Sequence, residues 1–214
     1  TKAAARIERF IGQTGALLRA TLALQESRHL GDADADIQLE LYRLMRQSWA
    51  IQALYWIDPR GQERVRISRM APDRLGGGED RSRSPEFLHA RAEAPWFGPV
   101  TFVVNLPRVV MARRGRLPES GVLAAEVELS ELRDIINEAR FGHKGVAYVV
   151  DGEGRLLAHP DFLRVLALAD WAARPPVRAA LAADTPGRGG LIEFESPEGP
   201  VVALTEEAFV IKTG

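Results

Sequence analysis

The chain has 214 residues, 46% of them apolar, enough to bury the core of one large domain or two small ones. Its 28 basic and 29 acidic residues nearly cancel, so no global field favours nucleic acid or an anionic membrane. The cysteine count is zero, which excludes disulfides and thiolate chemistry, and no run of about 18 apolar residues is present to span a bilayer.

From Thr1 to about Arg28 the apolar residues Ile7, Phe10, Ile11, Leu17, Leu18, Leu22 and Leu24 recur at helical spacing, which predicts a helix of roughly 40 Å. Ile7, Thr14 and Thr21 fall at a seven-residue interval, so a homodimer seam is expected along its first turns. A second helix, about Asp36 to Ser48, carries Ile37, Leu41, Leu44 and Met45 on one face, with Asp34 or Asp36 as its cap. Strands are expected near 53–58 and 64–69. A long irregular stretch from Ala71 to Pro95 follows, containing Gly76-Gly77-Gly78 and one helical piece at 85–92. Three more strands, near 99–105, 108–113 and 122–129, bring this first module to five. Ser130 caps a linking helix with Leu132, Ile135 and Ile136 on its inner face. A second module then offers strands near 146–151, 155–159, 190–195 and 201–209, and a helical region from Phe162 to Ala183 broken at Pro175-Pro176. It counts one strand fewer than the first, so a final strand is expected to be cut off.

The two modules share a signature. Tyr55, Asp58 and Gly61 end one strand-like run, and Tyr148, Asp151 and Gly154 end another at the same spacing. In such a unit the Asp starts a turn by accepting backbone hydrogen bonds, and the Gly supplies the positive φ that closes a hairpin. The repeat suggests two related modules in tandem. The chain also begins inside a helical pattern and stops at Ile211-Lys212-Thr213-Gly214 with no polar tail, so it reads as a piece of a longer protein whose flanking segments include membrane spans.

No residues support catalysis. The four histidines, His29, His89, His143 and His159, lack metal spacing; Asp151, Glu153 and Asp161 beside His159 read as a strand end entering a turn. Asp151-Gly152-Glu153-Gly154 lacks the distal Glu of a calcium loop, and Gly76-Gly77-Gly78 is not followed by Lys-Ser or Lys-Thr. No Gly-x-Ser-x-Gly occurs, and Glu206 and Glu207 face opposite sides of an expected strand. Neither a cofactor nor a metal is expected. What remains is the aromatic run Pro95 to Phe102, which fits a pocket wall and a core lid equally well. Arg66, Arg69 and Arg108 can charge such a pocket, although each taken singly reads as a surface cation.

Helix, five-stranded module, linking helix and smaller second module together resemble a double Cache domain, the tandem PAS-like extracytoplasmic sensor of bacterial membrane receptors. The resemblance covers essentially the whole chain, through Tyr55 to Gly61, Trp96 to Val100, Gly121 to Leu129, Gly145 to Asp151 and Ala158 to Asp161. It implies an α+β fold: a long N-terminal helix and two PAS-like modules, each an antiparallel sheet of about five strands flanked by helices. The segments are then 1–50 as a helical stalk, 51–129 as the membrane-distal module, 130–144 as the linking helix and 145–214 as the membrane-proximal module. It also implies a non-catalytic, periplasmic ligand-sensing part of an inner-membrane receptor, such as a histidine kinase or nucleotide cyclase. The ligand is a small molecule held in the distal module by Tyr55, Arg69, Trp96, Phe97, Phe102 and Glu126. The family's amino-acid binders carry an Arg shortly before the Trp and an Asp in the last distal strand. Here Ala94 or Pro95 takes the place of the Arg, and Glu126 that of the Asp. The competing expectation is a ligand-independent dimerisation or protein-interaction module, for which the first helix would keep an exposed apolar surface.

Overall fold

The computed structural model describes residues 2–28, 34–92, 95–117, 120–138, 146–150, 154–167, 171–182, 191–196 and 199–204. They fall into two compact units, one of Ile11–Leu129 and one of Ser130–Lys212 together with Thr1–Phe10.

The first helix, α1 (Lys2–Arg28), buries Ile7, Phe10, Ile11, Thr14, Leu18, Thr21 and Leu22, while Arg6, Arg9, Gln13 and Arg19 face solvent. That is a stripe at helical period, and the seven-residue series Ile7, Thr14, Thr21 lies inside it. The proposed seam residues are thus covered by their own chain. Helix α2 (Asp34–Met45) starts on two acids, Asp34 and Asp36, and buries Ile37, Leu41, Leu44 and Met45.

The body of the first unit is an antiparallel sheet in the order β3-β2-β1-β7-β6-β4. Its strands are β1 (Ile51–Ile57), β2 (Glu63–Ser68), β3 (Arg74–Leu75), β4 (Trp96–Phe97), β5 (Thr101–Val103), β6 (Leu106–Arg114) and β7 (Val122–Glu128). Strand β5 pairs only with β6. Two strands were not expected, β3 and β4, because a two-residue strand is too short to show alternation; the ladder, not the local sequence, defines it.

Register sorts the side chains into two faces. Leu54, Val65, Ile67, Leu123, Ala125, Val127 and Met111 share one side, where α2 packs on β1 and β2. Tyr55, Arg66, Ala124 and Ala112 share the other, and helix α3 (Pro85–Ala92) lies there against β6, β7 and β4. A register shift between Trp56 and Ile57 pairs Ile57 with Glu63, which brings Glu63 onto the Tyr55 face although it is an odd-numbered neighbour of Val65.

The second unit holds α4 (Ser130–Glu138), the hairpin β8 (Val149–Val150) with β9 (Leu156–Ala158), α5 (Phe162–Leu166), α6 (Pro175–Leu181) and the hairpin β10 (Leu191–Ser196) with β11 (Gly199–Leu204). The helical region breaks before Pro175, not at it. Pro175 opens α6, a position where its missing N–H costs nothing. The expected strand end at 205–209 lies outside the described residues.

Candidate functional site

Tyr55 is the centre of the exposed-loop side of the sheet. Its ring is buried, and the guanidiniums of Arg66 and Arg81 stand over it, 5.1 and 4.6 Å from the ring centroid. Arg66 is there because β2 pairs it directly with Tyr55. Arg81 arrives from the long loop, pinned where its N–H donates to Gly61 O at 2.7 Å.

Carboxylates interleave these cations. Glu63, only 1% exposed, accepts from Arg81 Nε at 2.6 Å and lies 3.9 Å from Arg66 and from Arg74. Glu86, at the start of α3, accepts from Arg81 Nη1 at 2.8 Å and stands 3.5 Å from the Tyr55 hydroxyl. Glu126 on β7 accepts from Arg66 Nη2 at 2.6 Å and lies 3.8 Å from Arg108 Nη1. Desolvation by burial, reinforced by the Glu86 charge, pushes the Tyr55 hydroxyl far above the ordinary phenol range, so it remains a neutral donor. Burial works to lower Arg81, but the hydrogen bond it donates to Glu63 and the surrounding negative groups outweigh that and raise it. Next to this charged end is an apolar one: Tyr55, Ile57, Phe87, Ala90, Trp96, Ala112, Val122 and Ala124 form one buried cluster. The arrangement offers a small ligand both signs of charge and an apolar wall.

Of the six residues expected to line a pocket, Tyr55, Trp96 and Glu126 share this face. Phe97 pairs with Met111 and so takes the opposite side, since neighbours on a strand alternate. Phe102 pairs with Pro107, one residue out of phase with Arg108. Arg69 is elsewhere: its guanidinium donates to the carbonyls of Ile51, Met45 and Ser48 at 2.8, 2.6 and 3.2 Å and stacks over Trp49 at 4.7 Å. It ties down the C-terminal end of α2, where carbonyls lack intrahelical partners. Sequence reasoning had no signal for Arg81, Glu63 or Glu86, which reach the face through a loop, a strand irregularity and a helix start.

The second unit repeats this construction. Trp171 N–H donates to Gly154 O at 2.9 Å as Arg81 does to Gly61. Arg174 N–H then donates to Trp171 O, as Ser84 does to Arg81 O, both at 2.9 Å, and a proline opens the helix in each case. Gly61 and Gly154 have φ of +90° and +83°, and a Cβ on either would fall 2.5 or 2.6 Å from the backbone of Ser82 or Ala172. Position for position, however, the chemistry changes. Tyr148 has His159 where Tyr55 has Arg66, at a centroid distance of 6.4 Å, and Trp171 where Tyr55 has Arg81, edge-on at 4.8 Å. His159 and Trp171 are themselves edge-on at 5.4 Å, a packed aromatic core.

No protein-family model matches the chain. Its sequence is 36% identical over 67 residues to the methyl-accepting chemotaxis protein PctB of Pseudomonas aeruginosa, and 32% identical over 77 residues to McpC of Bacillus subtilis. These segments are 31% and 33% of this chain but only 10% and 12% of the relatives. In three dimensions it is similar to the extracellular domain of mmHK1S-Z2, assigned to the histidine kinases, with a TM-score of 0.75 at 14% identity over 94% of this chain and 86% of that one. The sensory domain of the Campylobacter jejuni chemoreceptor Tlp3 with isoleucine bound gives 0.68 at 11% identity over 92% and 80%. The ligand-binding domain of the P. aeruginosa chemoreceptor PctC in complex with GABA gives 0.63 at 19% over 94% and 85%. The fold is that of the ligand-binding sensory domains of chemoreceptors and histidine kinases, as the resemblance implied.

Proposed function

We propose that this chain is the extracytoplasmic ligand-sensing part of a membrane signalling receptor and that its small-molecule ligand binds in the first unit, over Tyr55. The observation that carries the reading is the unequal duplication: the same hairpin-and-helix frame sets two ion-paired guanidiniums over the Tyr55 ring, and sets rings around Tyr148 with Arg174 over Trp171. Charged groups held ready on a buried face favour polar-ligand recognition, whereas rings packed edge to face complete a core. The amino acids and GABA bound by the similar chemoreceptor domains are the first compounds to try.

By resemblance the first unit is the membrane-distal module and the second the proximal one, with membrane attachment supplied by flanking segments. Among the described residues no helix is long and apolar enough to cross a membrane. Signalling follows from population shift: a ligand favours one state only by its difference in affinity between the two. Helix α1 contributes residues to both units. Association through α1 lacks comparable support, because Ile7, Thr14 and Thr21 are already buried within the chain.

The test is a thermal-shift screen of amino acids, GABA and a broad metabolite set, followed by calorimetric titration. A ligand whose binding is lost in Arg66→Ala and kept in Trp171→Leu supports the reading. A folded chain that binds nothing, or a ligand that depends on Trp171 alone, removes it.

A further inference from the structure

Glu126 is held by two cations at once. It reaches Arg66 across β1 because the residue opposite it there, Ala53, is small, and the same Ala53 lies opposite Ser68 on β2. On its other side Arg108 shares its face of the sheet, since Val110, two residues on, pairs directly with Glu126. Arg66 makes the close contact, at 2.6 Å, and Arg108 remains 3.8 Å away, outside hydrogen-bond range. The Arg108 side chain is 12% exposed, and its Nε, shielded from solvent, has no hydrogen-bond partner among the described residues. Both guanidiniums therefore face Glu126, and Arg66 also lies 3.9 Å from Glu63. At the Arg81 end all three guanidinium nitrogens are taken, by Glu63, Glu79 and Glu86. Of these arginines Arg108 carries a shielded donor with no partner among the described residues, and a guanidinium's planar fork suits an oxyanion.

Resting on the first-unit reading, we infer that Glu126 is a tethered stand-in for the ligand's acid group: it occupies the Arg66 and Arg108 pair, and a ligand bearing a carboxylate enters by displacing it. Arg108 then supplies a guanidinium to the ligand from β6. Like charge makes the exchange exclusive, since a second carboxylate beside Glu126 is repelled until Glu126 leaves. The internal competitor lowers apparent affinity by the fraction of time it leaves the pair free. Selectivity follows: the incoming group must be a better acid partner for two guanidiniums than one carboxylate on a flexible stem. A cation or neutral group gains nothing at this end.

Calorimetric titration of the 214-residue chain and of Glu126→Gln, Arg108→Met and Arg108→Lys decides the matter, with circular dichroism to verify folding. The probes are malonate and acetate as anions, L-alanine as a zwitterion and propylammonium as a cation. Malonate is expected to bind about tenfold tighter to Glu126→Gln, if Glu126 holds the pair about nine-tenths of the time. Binding should fall at least about tenfold in Arg108→Met and be partly restored in Arg108→Lys, which keeps a donor and the charge. Anion affinity that is unchanged or weakened in Glu126→Gln overturns the inference. So does loss of L-alanine and propylammonium binding in that variant, which would make Glu126 the acceptor for a ligand ammonium. If a metabolite from the wider screen binds in an Arg66-dependent way but ignores Glu126→Gln, the inference fails while the first-unit site stands. If nothing binds, both fail.

Discussion

Arg69 and His159 each show a single side chain whose role depends on which backbone groups surround it. Arg69 closes α2 by donating to three carbonyls, so Arg69→Met should destabilise the first unit by about 2 kcal/mol, the scale of lost hydrogen bonds to a charged group. Ligand affinity should stay within about threefold, because the guanidinium is not on the Tyr55 face. Chemical denaturation with ligand titration checks both, and a large affinity loss would return Arg69 to the site. His159 Nδ1 accepts from Asp161 N–H at 2.8 Å, which suits the neutral ring with its proton on Nε2. Burial lowers its pKa first, and the charges of Arg164 and Arg174 add to that, against the opposing effect of Asp161. The sign follows: the unfolded imidazole, near 6.5, takes up a proton where the folded one does not. Stability from this residue is therefore complete above about pH 6.5 and declines as pH falls toward the lower folded value. Urea midpoints between about pH 7.5 and 5 should drop in the parent chain and flatten in His159→Gln; equal slopes would show that other groups set the acid response.

Among elements, the joint between hairpin and helix is what the two units share. In each, a glycine with positive φ presents its carbonyl to the residue that leads into a proline-started helix. Gly61→Ala and Gly154→Ala should each cost about 2 kcal/mol or more, since both the φ and the space oppose a Cβ. The two effects should appear separately in the unfolding of their own units, and either substitution proving neutral would mean that the joint adapts. Glu63 is the element-level link on the Tyr55 face, because it ties β2 to the loop through Arg81. Removing the charge of a carboxylate only 1% exposed leaves Arg81 short of its main partner, and Glu63→Gln should cost about 3 kcal/mol. Thermal melts measure this, and an unchanged midpoint would place Glu63 outside the network.

For the whole molecule, binding to the first unit should stabilise it by mass action. At a free ligand concentration about 100 times Kd the gain is about 2.7 kcal/mol, seen by hydrogen exchange in β1, β2, β6 and β7. Protection that rises equally in β8 and β9 would point to a second site.

Much of this organisation was legible in the chain. The stripe of α1, the alternation in β2 and the matching Tyr55-to-Gly61 and Tyr148-to-Gly154 units were readable because periodicity and turn chemistry are local, and they carried the resemblance to a tandem sensor fold. The candidate site was readable only in part. Tyr55 and Glu126 lie on strands whose faces follow from register, but Phe97 and Phe102 took the far side once β4 and β5 paired with β6. Arg69 was drawn to helix-end carbonyls that no spacing announces. Arg81, Glu63 and Glu86 converge on Tyr55 from a loop, an irregular strand end and a helix start, and burial makes them partners of one another. The sequence by itself determined that the frame is duplicated, since each copy writes its turn in local residues. Which copy gathers ion pairs around its tyrosine was decided by tertiary structure, because that depends on which distant side chains the packed sheet and loop bring within reach of each tyrosine.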